Sequence, residues 1–311
     1  MKKIVITGGF GFIGARFVKH FQAKNIEVVV LEYPTAKIPE GFPDCEIIRA
    51  DITDRGFIES LKISGIDAVL HLAAQSSGPR SFAIPETDIK INILGTLNTI
   101  DWCLNNGIKR LLFASSFVIY GDHPEKEMLD EETVCIPKSV YATSKLACEH
   151  LLTTYAQLKG IQWSALRMFN VYGPGQDITK SDQGLVGIFM NMLLKQDSVQ
   201  VKGSLLRFRD LIHVDDVIQG WDLCLHSNVH NQSYNLGSGM KTTFNDLIIA
   251  IAKVLGKEDR LAIEELPGTP GDMKGCYADI KKISDQLGYK PKYDMVSGLQ
   301  SMYEWVKLNN K

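Results

Sequence analysis

Lys3-Ile4-Val5-Ile6-Thr7-Gly8-Gly9-Phe10-Gly11-Phe12-Ile13-Gly14 is the stretch that decides the fold. An apolar, β-branched run enters a glycine-rich turn, and a helical pattern then continues to Ala23. Gly8, Gly11 and Gly14 stand where a dinucleotide loop needs them. The first allows a tight turn, the second lets backbone approach a pyrophosphate, and the third lets helix and strand pack closely. Phe12 and Ile13 open the helix, whose unpaired N–H groups and partial positive charge suit phosphate oxygens. The spacing is three-and-three, against two-and-three in the common dehydrogenase fingerprint.

Strand-like runs recur at Ile26–Leu31, Glu46–Arg49, Ala68–Leu70, Arg110–Ala114 and Trp163–Arg167. Helical patterns lie between them at Asp54–Leu61, Pro85–Asn106 and Val140–Leu158. Apolar strands separated by helices predict an α/β fold, a doubly wound parallel sheet of Rossmann-like type. After Asn170 the rhythm changes, with a turn at Gly173-Pro174-Gly175 and a short helix near Leu185–Leu194. The expected division is a dinucleotide-binding domain over 1–170 and a smaller α+β substrate lobe over 171–311. Leu211–Val214 and Tyr234–Leu236 are expected to return to the first sheet.

Composition sets outer limits. The 311 residues are 45% hydrophobic and 23% charged, ordinary values for a globular protein. A formal charge of −2 gives no reason to expect nucleic acid or an anionic membrane as partner. The six cysteines, Cys45, Cys103, Cys135, Cys148, Cys224 and Cys276, lack any C-x-x-C or metal-ligand spacing. They read as thiols of a reducing compartment, with no metal expected. Lys2-Lys3 before an apolar run faintly mimics a signal peptide, but nucleotide-loop glycines follow and no small-residue cleavage site is evident. No apolar run reaches membrane-spanning length, so a cytoplasmic location is expected.

Glu32 ends the second strand, where an acid can bond the adenosine ribose hydroxyls and repel a 2′-phosphate. That predicts NAD in preference to NADP. Tyr141 and Lys145 stand at i and i+4, on one face of a helix. Bringing a phenol from about 10 to near 7 takes roughly 4 kcal/mol. A lysine ammonium about 5 Å away supplies around 3 kcal/mol at an effective dielectric of about 20. The positive nicotinamide could supply the remainder. A tyrosinate would then serve as general base for a sugar-like hydroxyl. Ser116, at a strand end, completes a catalytic triad of Ser116, Tyr141 and Lys145 by bonding the same substrate oxygen.

With these residues in view, the chain resembles the extended short-chain dehydrogenase/reductase family, in particular NAD-dependent nucleotide-sugar epimerases similar to UDP-galactose 4-epimerase. The resemblance runs nearly end to end. It rests on the glycine loop, Asp51-Ile52, His71-Leu72-Ala73-Ala74-Gln75, Asn92-Ile93-Leu94-Gly95-Thr96, Ser115 to Gly121, Tyr141 to Lys145, Arg167-Met168-Phe169-Asn170 and Arg209-Asp210-Leu211-Ile212-His213-Val214. It implies that Asp51 and Ile52 flank the adenine and that Leu72, Ala73 and Ala74 line the cofactor channel. Asn92 would brace the active-site helix, and Phe169 would approach the nicotinamide. Asn170, Arg209 and Asp272 would bind the nucleotide-diphosphate sugar. A homodimer is implied too, through the helices at Pro85–Asn106 and Val140–Leu158. Ile89, Ile93, Leu97 and Ile100 recur there at helical spacing, although one face must cover the sheet.

Two departures narrow the reading. Sugar 4,6-dehydratases and UDP-glucuronate decarboxylases carry glutamate two residues before the tyrosine of the Tyr-Gly pair, where this chain has Val118. Epimerases usually have arginine where this chain has Thr269, before Pro270-Gly271-Asp272; Arg207 or Lys274 is a candidate replacement. The expected activity is therefore 4-epimerisation of a UDP-glucose/UDP-galactose type substrate through a transient 4-keto sugar. The alternatives are a nucleotide-sugar reductase or 4-dehydrogenase, then a 4,6-dehydratase, then a non-catalytic NAD-binding regulator.

Overall fold

Alternating apolar runs and helical patterns fold, in a computed structural model, into a seven-stranded sheet with helices packed on it. The structure describes residues 1–180, 184–268 and 274–309. They form two units. The first comprises Met1–Gly121, Cys135–Arg167 and Trp221–Tyr234; the second comprises Asp122–Val134, Met168–Gly220 and Asn235–Lys311.

The large sheet has the order Gln232–Leu236, Gln162–Met168, Arg110–Ser116, Ala68–His71, Lys3–Thr7, Glu27–Glu32, Glu46–Arg49. Lys3–Thr7 pairs parallel with both Glu27–Glu32 and Ala68–His71. The chain runs outward on one side through Glu46–Arg49 and resumes on the other at Ala68–His71, so the order reverses where Thr7 meets His71. Ligands of open α/β sheets bind outside the carboxyl ends of strands at such a reversal. One face of the sheet buries Val5, Val29, Val69, Leu111 and Phe113 with Trp102, Cys148 and Leu152 of the covering helices. Elsewhere in the same unit Phe17 stacks on Phe21 at 5.8 Å and lies 5.1 Å from Trp221. All six cysteines are free thiols.

The helix expected over Pro85–Asn106 is not regular. It is α-helical at Pro85–Asp88, widens to a π-turn at Ile89–Leu94, and resumes as Gly95–Asn105. The extra residue shifts the phase of the side chains. Ile89 is consequently 49% exposed while Ile100 is fully buried, so the four apolar positions do not share one face. Gly95 follows the wide turn because a Cβ there would stand 2.5 Å from Ile52 Cδ1.

In the second unit, Leu185–Lys195, Phe244–Val254 and Met295–Asn309 pack around Phe189, Met190, Leu247, Ile251, Leu299 and Met302. Leu211–His213 pairs parallel with Asn170–Tyr172 in a two-stranded sheet and does not join the seven-stranded one. Gln232–Leu236, which includes the other segment expected to return, takes the edge of the large sheet. A three-residue apolar run carries no mark of its partner, which only the tertiary path selects.

Candidate active site

The glycine loop is built by close approach. Gly8 sits at φ +72°, its N–H donates to Leu31 O at 3.0 Å, and a Cβ there would lie 2.8 Å from Ala73 N. A Cβ on Gly14 would stand 2.3 Å from Gly8 O and 2.8 Å from Gly9 Cα, so helix and turn meet backbone to backbone. Gly11 caps the helix Phe12–Ala23 with no side-chain hydrogen bond and no acid in its first turn. Its N–H groups are therefore left to an anion. The residues fit a dinucleotide.

Glu32 has a role the sequence did not show. Its Oε2 accepts from Phe10 N and its Oε1 from Tyr33 N, each at 2.9 Å. The carboxylate braces the loop, and its remaining lone pairs can still meet ribose hydroxyls. Asp51 Oδ1 accepts from Thr53 N at 2.8 Å, and Ile52 O accepts from Asn98 Nδ2 at 2.9 Å. Leu72 N and Ala73 N both donate to Thr7 Oγ1, which fixes the segment through Ala74 beside the loop.

From Thr7 a directional chain of hydrogen bonds runs to the helix that carries the tyrosine. Thr96 Oγ1 donates to Asn92 O at 2.5 Å, so it must accept from His71 Nε2–H at 3.0 Å. His71 Nδ1 is then an acceptor, and Thr7 Oγ1–H donates to it at 2.8 Å. Burial holds His71 down to about 3, helped by the charge of Lys145, so the ring is neutral. Asn92 donates to Ser144 Oγ at 3.0 Å, and Ser144 Oγ donates to Tyr141 O at 2.9 Å. The bracing implied for Asn92 is thus a set of bonds to the turn between Tyr141 and Lys145.

That helix, Val140–Lys159, starts at Ser139, whose Oγ accepts from Ala142 N at 3.0 Å. Lys145 is 3% exposed. Its Nζ lies 4.7 Å from the Phe113 ring centroid and 5.9 Å from that of Tyr141. It has no hydrogen-bond partner among the described residues, so its three donors are available to a ligand. Burial pushes Tyr141 up to about 12; a hydrogen bond with Ser116 pulls the other way and the charge of Asp88 adds to the rise. Burial lowers Lys145 to about 8, against the opposing influence of Cys148 and Asp88. The chain by itself therefore does not hold Tyr141 as a phenolate, and the nicotinamide charge that the expectation counted is needed. Spacing counts the ammonium but not the loss of water around both groups.

Glu149, one turn beyond Lys145, also escaped the sequence reading. Its carboxylate accepts from Arg167 Nη2 at 2.7 Å, Ser115 Oγ at 2.5 Å and Ser233 Oγ at 2.9 Å, while Arg167 Nη1 donates to Tyr120 Oη at 2.9 Å. The buried pair ties the residue before Ser116 to the tyrosine's helix. The available signal was an arginine inside the apolar strand Gln162–Met168. Glu149→Gln leaves Arg167 uncompensated and should cost about 3–5 kcal/mol in chemical denaturation; an unchanged midpoint would show the pair to be dispensable.

Phe169, Asn170 and Arg209 lie in the second unit. Phe169 is buried and its N–H donates to Leu236 O at 3.0 Å. Asn170 Nδ2 donates to Asp210 O at 3.1 Å. The guanidinium of Arg209 sits 5.4 Å from the Phe244 ring centroid and donates to Phe208 O at 2.6 Å. Arg207 donates to the carbonyls of Ser204 and Lys202, and Lys274 is ion-paired with Glu127 at 2.9 Å. Thr269 to Asp272 lie outside the described residues.

The NAD dependent epimerase/dehydratase family matches residues 4–237. A putative UDP-glucose 4-epimerase of Methanocaldococcus jannaschii is 34% identical over 99% of both chains. The crystal structure of the UDP-glucose 4-epimerase of Thermus thermophilus in complex with NAD superposes with a TM-score of 0.88 at 33% identity, over 98% of this chain and 99% of that one. A dTDP-glucose 4,6-dehydratase of Streptomyces antibioticus is 28% identical over 98% of this chain and 92% of its own length.

Proposed function

The chain belongs to the NAD dependent epimerase/dehydratase family, and on that premise we propose that it is a nucleotide-sugar 4-epimerase of the UDP-glucose/UDP-galactose type that uses NAD. The observation that carries the reading is the complete Ser116, Tyr141 and Lys145 set, joined to the glycine loop through Thr7, His71, Thr96 and Asn92. Val118 supports epimerisation over elimination or decarboxylation, because valine cannot carry a proton where the relatives with those chemistries use glutamate.

Bound NAD supplies a hydride acceptor that later returns the hydride, and its positive ring favours a phenolate beside it. Tyr141 takes the C4 hydroxyl proton as the C4 hydride leaves, which gives a 4-keto sugar. Ser116 donates to the forming carbonyl oxygen. Lys145 would present its ammonium to the ribose hydroxyls of the bound cofactor, and its charge opposes reprotonation of the phenolate. Return of the hydride to the opposite face would require the ring to turn, after which Tyr141 gives the proton back to the C4 oxygen. Asn170 and Arg209 of the second unit hold the diphosphate, for which arginine's planar donor pair is suited. The hexose itself must be held weakly enough to rotate.

Proton NMR of UDP-glucose with the enzyme should show UDP-galactose accumulating with no net NADH. Net NADH formation or loss would instead make the protein a reductase or dehydrogenase, and silence across UDP-, dTDP-, GDP- and CDP-sugars would favour a non-catalytic role. Cofactor choice has its own test. Glu32→Ala should raise the Kd for NAD roughly tenfold, about 1.4 kcal/mol, and narrow the preference over NADP. Equal discrimination in calorimetric titrations of both forms would remove Glu32 from that role.

A homodimer is proposed as the working assembly, through the helical segments at Pro85–Asn106 and Val140–Leu158, which expose Ile89 and Leu158. Light scattering on the purified protein decides it. Among the described residues no helix is long and apolar enough to cross a membrane, and the cytoplasm is the proposed location.

A further inference from the structure

Asp88 ends the short helix Pro85–Asp88 at the π-turn and is 0% exposed. Its two oxygens each face an amide that can only donate. Gln75 Oε1 accepts from Ser77 N at 2.6 Å, so Gln75 Nε2 must be the atom that reaches Asp88 Oδ2 at 2.8 Å. Asn92 Oδ1 accepts from Gln75 N at 2.9 Å, so Asn92 Nδ2 must be the atom that reaches Asp88 Oδ1 at 3.0 Å. A protonated Asp88 would need an acceptor for its own O–H, and among the described residues its oxygens meet these donors alone. Asp88 is therefore a carboxylate, buried and without a cation at ion-pair distance among the described residues. A charge kept in such a place without a partner is costly unless something nearby draws on it.

We propose that Asp88 is a positioning residue for the proton-transfer pair: a fixed buried carboxylate that aligns the Tyr141–Lys145 turn through Asn92 and Ser144. The proposal rests on the assignment of Tyr141 and Lys145 as that pair. Asn92 Nδ2 touches Asp88 and Ser144 at the same 3.0 Å, which makes the mechanical link direct. The field acts on both members, since Asp88 raises Lys145 and Tyr141 alike. Other groups facing the pair are few. Cys148 and Glu149 are on the same helix, the Ser115 and Ser116 hydroxyls come from the strand Arg110–Ser116, and neutral His71 comes from Ala68–His71. Arg80, Glu86 and Lys90, on the helical segments flanking Asp88, are exposed.

The sign follows from the charge. Removing a negative charge disfavours the ammonium and favours the phenolate, so Lys145 and Tyr141 both move to lower pH. In Asp88→Asn, and in Asp88→Ser where the asparagine amide clashes with its two donor neighbours, both limbs of the kcat/KM profile should slide acid by about half a unit to one unit. Asp88→Glu should leave them in place. A merely structural residue would lower the amplitude and leave the limbs unmoved.

A second readout does not depend on turnover. In protein labelled with 13C-lysine, the Lys145 Cε resonance is identified by its loss in Lys145→Met. Its titration should fall by the same interval in Asp88→Asn. Coincident Lys145 titrations in parent and folded variants would overturn the proposal. Failure of the epimerase reading alone would leave the NMR result standing.

Discussion

Tyr141→Phe should lose turnover by about three to four orders of magnitude and still bind NAD. The phenol oxygen is the only atom removed, and general acid–base catalysis by a positioned group contributes typically about 10²–10⁴ in rate. The ring stays on its helix, because the turn is held through Ser144 and Asn92 and not through the phenol. Ser116 loses its partner, which adds to the loss at the same oxygen. Lys145 keeps its packing against Phe113, so cofactor affinity should hold within a few-fold. The measurement is kcat for sugar interconversion by NMR alongside calorimetric titration of NAD. Activity within tenfold of the parent would remove Tyr141 as the base, and joint loss of turnover and cofactor would mean that the ring supports the fold of the site.

The unsubstituted protein should also show a pH dependence with a defined sense. Lys145, brought to about 8 by burial, loses its charge as pH rises through that value. Its contribution to holding anionic groups and a phenolate fades over the same interval, so the alkaline limb is lost upward, not downward.

Gly14→Ala is the second large effect expected. The added methyl carbon would stand 2.3 Å from Gly8 O, 2.8 Å from Gly9 Cα and 2.9 Å from Gly9 C. All three are backbone, so no side chain can turn aside, and the helix Phe12–Ala23 must withdraw from the turn. Overpacking of this kind costs typically about 1–3 kcal/mol, occasionally more. The same movement carries the helix N-terminus away from the phosphates. NAD affinity should therefore fall by about a hundredfold or more, well beyond the change in unfolding midpoint. At Gly11 the added carbon would meet only Gly8 O, at 3.3 Å, a contact relieved by a shift of a few tenths of an ångström, so Gly11→Ala should perturb the fold less than Gly14→Ala. Gly14→Ala with parent-like affinity for NAD would show that the close approach is not what builds the phosphate site.

Sequence alone determined what depends on neighbours along the chain. A β-branched run, three spaced glycines and an amphipathic segment specify strand, turn and helix within Lys3–Ala23, because each rests on local backbone preferences and side-chain period. The i, i+4 placement of Tyr141 and Lys145 is equally local, since any helix puts those positions on one face. The extended resemblance added roles for Asn92, Phe169 and Arg209, whose motifs are short and contiguous.

What the tertiary structure decided involves partners far apart and the removal of water. Asp88 and Asn92 are neighbours along the chain, but Gln75 of the loop after Ala68–His71 and Ser144 of the helix Val140–Lys159 reach them only when these parts pack together. Arg167 on its strand finds Glu149 on the helix Val140–Lys159 for the same reason. The π-turn at Ile89–Leu94 breaks the apolar period that the sequence suggested, and the residue after it, Gly95, packs closely on Ile52. Protonation belongs to this level as well. Burial moves Tyr141 up and Lys145 down, while the tautomer of His71 is set by which of its neighbours has a proton to give.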